Sequence, residues 1–297
     1  MSRRFALPIL LAVVAAACSS DPPAGTGPGT SSGGTSGGSE DGGLAQASKV
    51  DVTDETLDVG GTERTYVLAV PKAHDVERAY PLVLVFHGDG GDGPGMRRVH
   101  TIDSFSGDTA VVAYPTGLGQ TWNLYEPSAT NPDIAFVEAL VDAIDKKVKI
   151  DRTHIFGVGY SSGGYFINQV SCRKNGFFRG IVVHAGGAPN EPEDPEAGVW
   201  PSGYVKCKGQ LAAPQGGVAT MAVHGENDAP EGGEFVVIYW AALNGCKEER
   251  TPTTPSPCVK FEGCPADKPV VWCRIPGMGH TIWQEGTKAG WDFIKGI

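Results

Sequence analysis

The chain returns repeatedly to short apolar runs separated by polar stretches. The runs are "RTYVLAV" (64–70), "PLVLVFHG" (81–88), "AVVAYP" (110–115), "HIFGV" (154–158), "GIVVHAG" (180–186), "VATMAVHG" (218–225) and "PVVWCRI" (269–275). Several are apolar along their whole length, the pattern of a strand buried on both faces. Between them, "NPDIAFVEALVDAIDKKVKI" (131–150) changes to a helical period. Ile134, Val137, Val141 and Ile144 recur on one side, and Pro132 suits the first turn. Further helices are predicted at about 234–244 and 284–295. Strands alternating with helices predict a mostly parallel sheet covered on both faces. With no internal repeat and no second long linker, a single α/β domain over 49–297 is the economical reading.

The first 48 residues do not follow this pattern. "MSRRFALPILLAVVAAAC" has a basic start, an apolar run from Phe5 to Val14 and small residues before Cys18. That is the layout of a secretory leader, and the run is short for a bilayer span. The "AAAC" ending resembles a bacterial lipobox. Residues 1–17 are therefore expected to be removed and Cys18 to be lipidated, with ordinary cleavage after Ala17 as the alternative. Residues 18–48 are rich in Gly, Ser, Thr and Pro and bury too little to offset their ordering entropy, so a flexible tether is expected. About 30 residues of such coil reach roughly 30 Å. The expected product is an exported monomer that meets the membrane only through a lipid at Cys18.

Charge and cysteine content narrow the classes. The net charge is −10, and removing Arg3 and Arg4 makes the body more acidic still. Nucleic-acid binding needs clustered Lys and Arg, so no nucleic-acid partner is expected. Apart from Cys18 there are six cysteines: Cys172, Cys207, Cys246, Cys258, Cys264 and Cys273. An even number in an exported protein predicts disulfides, with the pairing left open. No CxxC pair or nearby histidine has zinc-like spacing, so neither a metal nor another cofactor is expected.

Candidate chemistry lies in "GVGYSSGGYF" (157–166). Gly159-Tyr160-Ser161-Ser162-Gly163 fits G-x-S-x-G directly after a predicted strand. Shifting the frame to Ser162 would put Tyr160 where the first glycine belongs, so Ser161 is the nucleophile candidate. The backbone N–H of Ser162, at a helix N-terminus, then becomes a candidate oxyanion donor. A plain Gly/Ser turn is the competing reading. A dinucleotide loop would need glycine where Ser162 stands.

A serine hydroxyl needs a histidine to take its proton and a carboxylate to orient that histidine. Asp228 in "MAVHGENDAP" and His280 in "PGMGHTIW" each follow a predicted strand, in the order Ser, Asp, His. Both should therefore lie at the carboxyl edge of the sheet, where sites in open α/β sheets form. Glu226 is the nearest rival for the acid. "VFHGDGGDG" (85–93) leaves a strand through glycines, and the N–H of Gly88 or Asp89 is the candidate second oxyanion donor. A phosphate cradle would require a following G-K-[ST], which is absent.

With these residues, the chain resembles the family of extracellular feruloyl esterases and polyhydroxybutyrate depolymerase-like lipoproteins, of the carbohydrate esterase family one type. The resemblance covers about residues 60–285 through "RTYVLAVP", "PLVLVFHGDGG", "AYPTGLGQTWN", "DIAFVEALVDAI", "DRTHIFGVGYSSGGYF", "HGEND" and "GMGHTIW". It implies an α/β-hydrolase fold and serine-ester hydrolysis, with Ser161 as nucleophile, Asp228 as acid and His280 as base. It also implies substrate contacts from Trp122 in "GQTWN" and Trp283 in "GMGHTIW", although core packing would equally explain Trp122. By resemblance and chain order, Cys172 pairs with Cys207 and the other four pair among themselves. The segment "PCVKFEGCPADKPVVWC" resembles feruloyl esterases more than depolymerases, which ranks hydroxycinnamoyl esters ahead of hydroxyalkanoate oligomers. Ser162 stands where the family often has Asn, which affects the expected acyl pocket. A surface binding protein on a hydrolase scaffold is the remaining alternative.

Overall fold

The computed structural model describes residues 48–124, 126, 128–187, 189 and 217–297. The expectations for the leader, the Cys18 lipid, the tether and Cys207 fall outside these residues. The described strands are β1 (Val50–Val59), β2 (Thr62–Pro71), β3 (Tyr80–Phe86), β4 (Val111–Pro115), β5 (Ile150–Tyr160), β6 (Gly180–His184), β7 (Ala219–Gly225), β8 (Arg250–Pro252), β9 (Val259–Phe261) and β10 (Val270–Ile275). They form one sheet in the order β1-β2-β4-β3-β5-β6-β7-β10-β9-β8. The six central strands from β4 to β10 run parallel. Antiparallel pairs close both edges.

The side-chain period of two divides each central strand between two cores. Leu82, Leu84 and Phe86 of β3 face one core, which includes Phe166, Ile167, Trp240 and Ile134. Val83 and Val85 face the other, with Met96, Ile102, Ala289 and Ile294. Helices α3 (Pro132–Asp145), α4 (Ser162–Arg173) and α5 (Pro230–Asn244) thus cover one face. Helices α1 (Gly93–Val99), α2 (Ile102–Ser106) and α6 (Gly286–Ile294) cover the other. Truncating a fully buried side chain such as Leu84 to alanine would cost about 2–5 kcal/mol.

All seven predicted strands form. Within 131–150 the helix stops at Asp145, and β5 starts at Ile150. The Asp145 carboxylate accepts the Ile150 N–H at 2.8 Å, so a side chain bridges the exit from helix to strand. The strand β1 adds an edge the apolar runs did not mark: its burial pattern is mostly exposed, and it is held by the β2 ladder.

A buried ion pair steadies the loop after β4. The Arg64 guanidinium lies 2.5 Å from Asp133 at the start of α3 and 4.0 Å over the Phe136 ring. The second Asp133 oxygen accepts the Asn123 N–H at 2.7 Å. Charge, ring and backbone are thereby tied together beside the segment that carries Trp122.

Candidate active site

Between the end of β5 and the start of α4 a single residue makes the turn. Ser161 has φ 52° and ψ −121°, a conformation costly for any residue with a side chain. The crowding explains the glycines on either side. A Cβ on Gly159 would lie 2.3 Å from the Gly163 carbonyl oxygen. One on Gly163 would lie 2.5 Å from both the Phe86 and His87 carbonyl oxygens. Strand, turn, helix and the end of β3 therefore pack backbone on backbone. The Ser161 N–H donates to the His184 carbonyl at 2.9 Å, which secures the turn from behind.

His280 faces Ser161. Its Nε2 lies 2.9 Å from Ser161 Oγ and its Nδ1 lies 2.8 Å from Asp228 Oδ2. An ionised carboxylate only accepts, so Nδ1 carries the proton and Nε2 presents a lone pair to the serine hydroxyl. The convergence follows from topology. Asp228 leaves β7 and His280 leaves β10, two adjacent parallel strands in register from Thr220–Val270 to Gly225–Ile275. The Asn227 N–H donates to the Met278 carbonyl at 2.9 Å and joins the two loops. Glu226, the rival acid, is turned away: it lies 3.4 Å from Arg274 and accepts the Gly277 N–H.

Ser162 does not supply the hydroxyl that meets His280. Its hydroxyl is buried and has no hydrogen-bond partner among the described residues. Its N–H opens α4, where the partial positive charge of a helix N-terminus is concentrated.

The loop after β3 lies against the same point. A Cβ on Gly88 would sit 3.1 Å from Ser161 Cβ. The buried His87 holds this loop from beneath. Its Nε2 accepts the Gly117 N–H at 2.9 Å, so Nδ1 is the protonated nitrogen and donates to the Gly88 carbonyl at 2.7 Å. Burial lowers the pKa of this ring, which keeps it neutral for that double role. The Gly88 carbonyl also accepts from Gly91, and the His87 carbonyl accepts from Trp122 Nε1 at 2.8 Å. With these carbonyls engaged, the N–H groups of Gly88 and Asp89 have no partner among the described residues. The Asp89 side chain accepts from Thr121.

Trp122 corrects one expectation from the resemblance. It is 3% exposed, stacked on Phe166 at 5.0 Å and edge-on to Phe86 at 5.1 Å. It therefore supports the loop rather than offering its ring to a substrate. Trp283 is half-buried and packs against the second core. His224, His87 and Tyr160 were not singled out from sequence. His224 lies beside Asp228, and the Tyr160 hydroxyl donates to the His280 carbonyl at 3.0 Å. A histidine four residues before the candidate acid was the one available signal.

Cys246 pairs with Cys264 and Cys258 with Cys273, so four of the cysteines do pair among themselves. The two bridges brace the segment between α5 and β10, the strand that leads to His280. Among the described residues no three His, Cys, Asp or Glu side chains cluster as metal ligands would.

No family model matches the chain. It is 25% identical to feruloyl esterase B of Piromyces equi over 242 residues, which are 78% of this chain and 45% of that protein. It is 30% identical over 209 residues to the esterase-named protein NocK of Nocardia uniformis subsp. tsuyamanensis, covering 65% of this chain and 60% of NocK. With feruloyl esterase C of Emericella nidulans it shares 22% over 196 residues, 62% of this chain and 63% of that one. The chain thus spans about half the length of the first two relatives. Among solved structures, the acetyl xylan esterase from Aspergillus awamori superposes with a TM-score of 0.66 at 17% identity, covering 83% of this chain and all of that one. The feruloyl esterase module from Clostridium thermocellum, complexed with sinapinate, gives 0.59 at 13% identity over 84% of this chain and 88% of the module. By sheet order and by these likenesses, the chain has an α/β-hydrolase fold and is similar in sequence to feruloyl esterases.

Proposed function

We propose that the chain is an exported serine esterase that hydrolyses hydroxycinnamoyl or similar carboxylic esters. The observation that carries this reading is the unbroken line Ser161 Oγ, His280, Asp228, with separations of 2.9 and 2.8 Å. Ser161 attacks the ester carbonyl while His280 Nε2 takes its proton and Asp228 stabilises the imidazolium. The N–H of Ser162 and that of Gly88 or Asp89 receive the developing oxyanion. His280 returns the proton to the leaving alkoxide, the alcohol departs and Ser161 remains acylated. Water, deprotonated by His280, then releases the carboxylic acid and restores the serine.

The hydroxycinnamoyl preference draws on the feruloyl esterase relatives. Two disulfides fit an oxidising compartment, and among the described residues no helix is long and apolar enough to cross a membrane. The lipid at Cys18 is proposed from the "AAAC" ending of the leader.

The test is hydrolysis of p-nitrophenyl acetate and methyl ferulate by the wild type, Ser161→Ala and Ser162→Ala. The expected result is cleavage of both esters, lost in Ser161→Ala and retained in Ser162→Ala. Cleavage of acetate alone would keep the esterase and remove the hydroxycinnamoyl preference. A folded wild type that cleaves neither would overturn the reading.

A further inference from the structure

We propose that His224 is a positioning residue for the acid, holding Asp228 in the one orientation that serves His280. The inference rests on the reading of the site given above. His224 is the penultimate residue of β7 and its side chain is only 7% exposed. Its Nε2 lies 2.6 Å from the Asp228 main-chain oxygen and 3.1 Å from Asp228 Oδ2. A carbonyl and an ionised carboxylate both accept only, so the hydrogen on Nε2 is required rather than chosen. That N–H is donated to the main-chain oxygen, and the ring edge that carries it stands against Oδ2. The ring thereby fixes the main chain at Asp228 and limits the room in which its carboxylate can turn.

The need for such a restraint is visible in the next residue. Ala229 has φ 45° and ψ 63°, a left-handed conformation that is unfavourable for alanine. The loop that carries Asp228 is therefore bent against its own preference, with the Asp228 N–H donating back to the Gly225 carbonyl at 3.2 Å. The His224 ring cannot swing away. The first turn of α5 is packed against its other edge, where a Cβ on Gly233 would come within 2.5 Å of Nδ1. Asp228 Oδ2 consequently lies between two histidines: His224 is the buried one beside it, and His280, 49% exposed, bonds to it and reaches the serine.

Two substitutions with different reach separate this role from core packing. A glutamine amide can place an N–H near the Nε2 position, whereas an asparagine amide is too short and phenylalanine has no donor. On p-nitrophenyl acetate, His224→Asn and His224→Phe are expected to lose kcat by roughly ten- to hundredfold, because misplaced catalytic groups cost about that much. KM should stay nearly unchanged, and His224→Gln should regain most of the loss. Wild-type kcat in the Asn and Phe variants, or a Gln variant as impaired as the Phe one, overturns the proposal. Should the Asn and Phe variants fail to fold, nitrogen-15 NMR of the wild type decides the matter. His224 must be protonated on Nε2 and bare on Nδ1, and the opposite tautomer overturns the role. If Ser161→Ala in the same assay hydrolyses the ester like the wild type, the reading of the site fails and this inference fails with it. If Ser161→Ala is inactive and only the His224 variants are unaffected, this inference alone fails.

Discussion

The two halves of the site are built by different means. On the serine side, position is set by backbone space: Gly159, Gly163 and the ends of β3 and β5 pack so closely that Ser161 has one place to be. On the acid–base side, Asp228 and His280 stand on loops and are held by side-chain hydrogen bonds, from His224 and Tyr160 among others. The first half is rigid because nothing larger than hydrogen fits at two positions. The second is adjustable, since each bond there is made by a group that other residues could partly imitate.

This contrast predicts that the side-chain half fails through charge and orientation without unfolding. Asp228→Asn should lower kcat by about 10⁴-fold, the cost of a wrongly held histidine in such a triad, with the melting temperature little changed. Glu226→Gln should leave kcat near the wild-type value, because Glu226 is committed to Arg274 and Gly277. Equal losses in the two variants would show that the acid has been misassigned.

The serine side should instead fail through stability. Behind Ser161 lies a sealed pair, with His100 Nε2 3.2 Å from His184 Nε2 and both rings fully buried. Desolvation pushes His100 down to about 4 and His184 well below its ordinary range. The unfolded chain takes up these protons near pH 6.5, before the folded one does. Stability is therefore full above about pH 6.5 and falls as the pH approaches 4, by on the order of 3 kcal/mol for His100. Urea unfolding across that range should show the slope, and a His100→Leu/His184→Leu protein should show a shallower one. An unchanged slope in the double variant would remove the pair as its cause. A smaller effect is expected from Gly163→Ala. The added methyl meets two backbone carbonyls and should cost about 1–3 kcal/mol, with activity falling as the turn shifts. A Gly163→Ala protein of wild-type stability would contradict the backbone account.

Much of this was legible in the sequence, for identifiable reasons. The central strands carry continuous apolar runs because helices cover both their faces, and such runs stand out against polar loops. Asp228 and His280 are singled out as candidates because each follows one of those strands. Their meeting depends on β7 and β10 being neighbours, which local pattern does not state. β1 was missed because an edge strand exposes most of its side chains and is held by main-chain bonds to β2. The short β8 and β9 were missed because three residues are too few to show a period. Trp122 is left by the sequence between a substrate contact and core packing, and it lies in the core. A motif places a residue near a site but does not say which way its ring points. His224 offers only its spacing of four residues from Asp228 as a signal, and the bend at Ala229 is what brings Asp228 back over it.

The most direct measurement for the central claim is intact-protein and peptide mass spectrometry after exposure to a serine-reactive fluorophosphonate. One adduct per chain is expected, located on Ser161, absent from Ser161→Ala and formed far more slowly in His280→Ala. An adduct on Ser162, or undiminished labelling of Ser161→Ala, would contradict the assignment of Ser161 as the nucleophile.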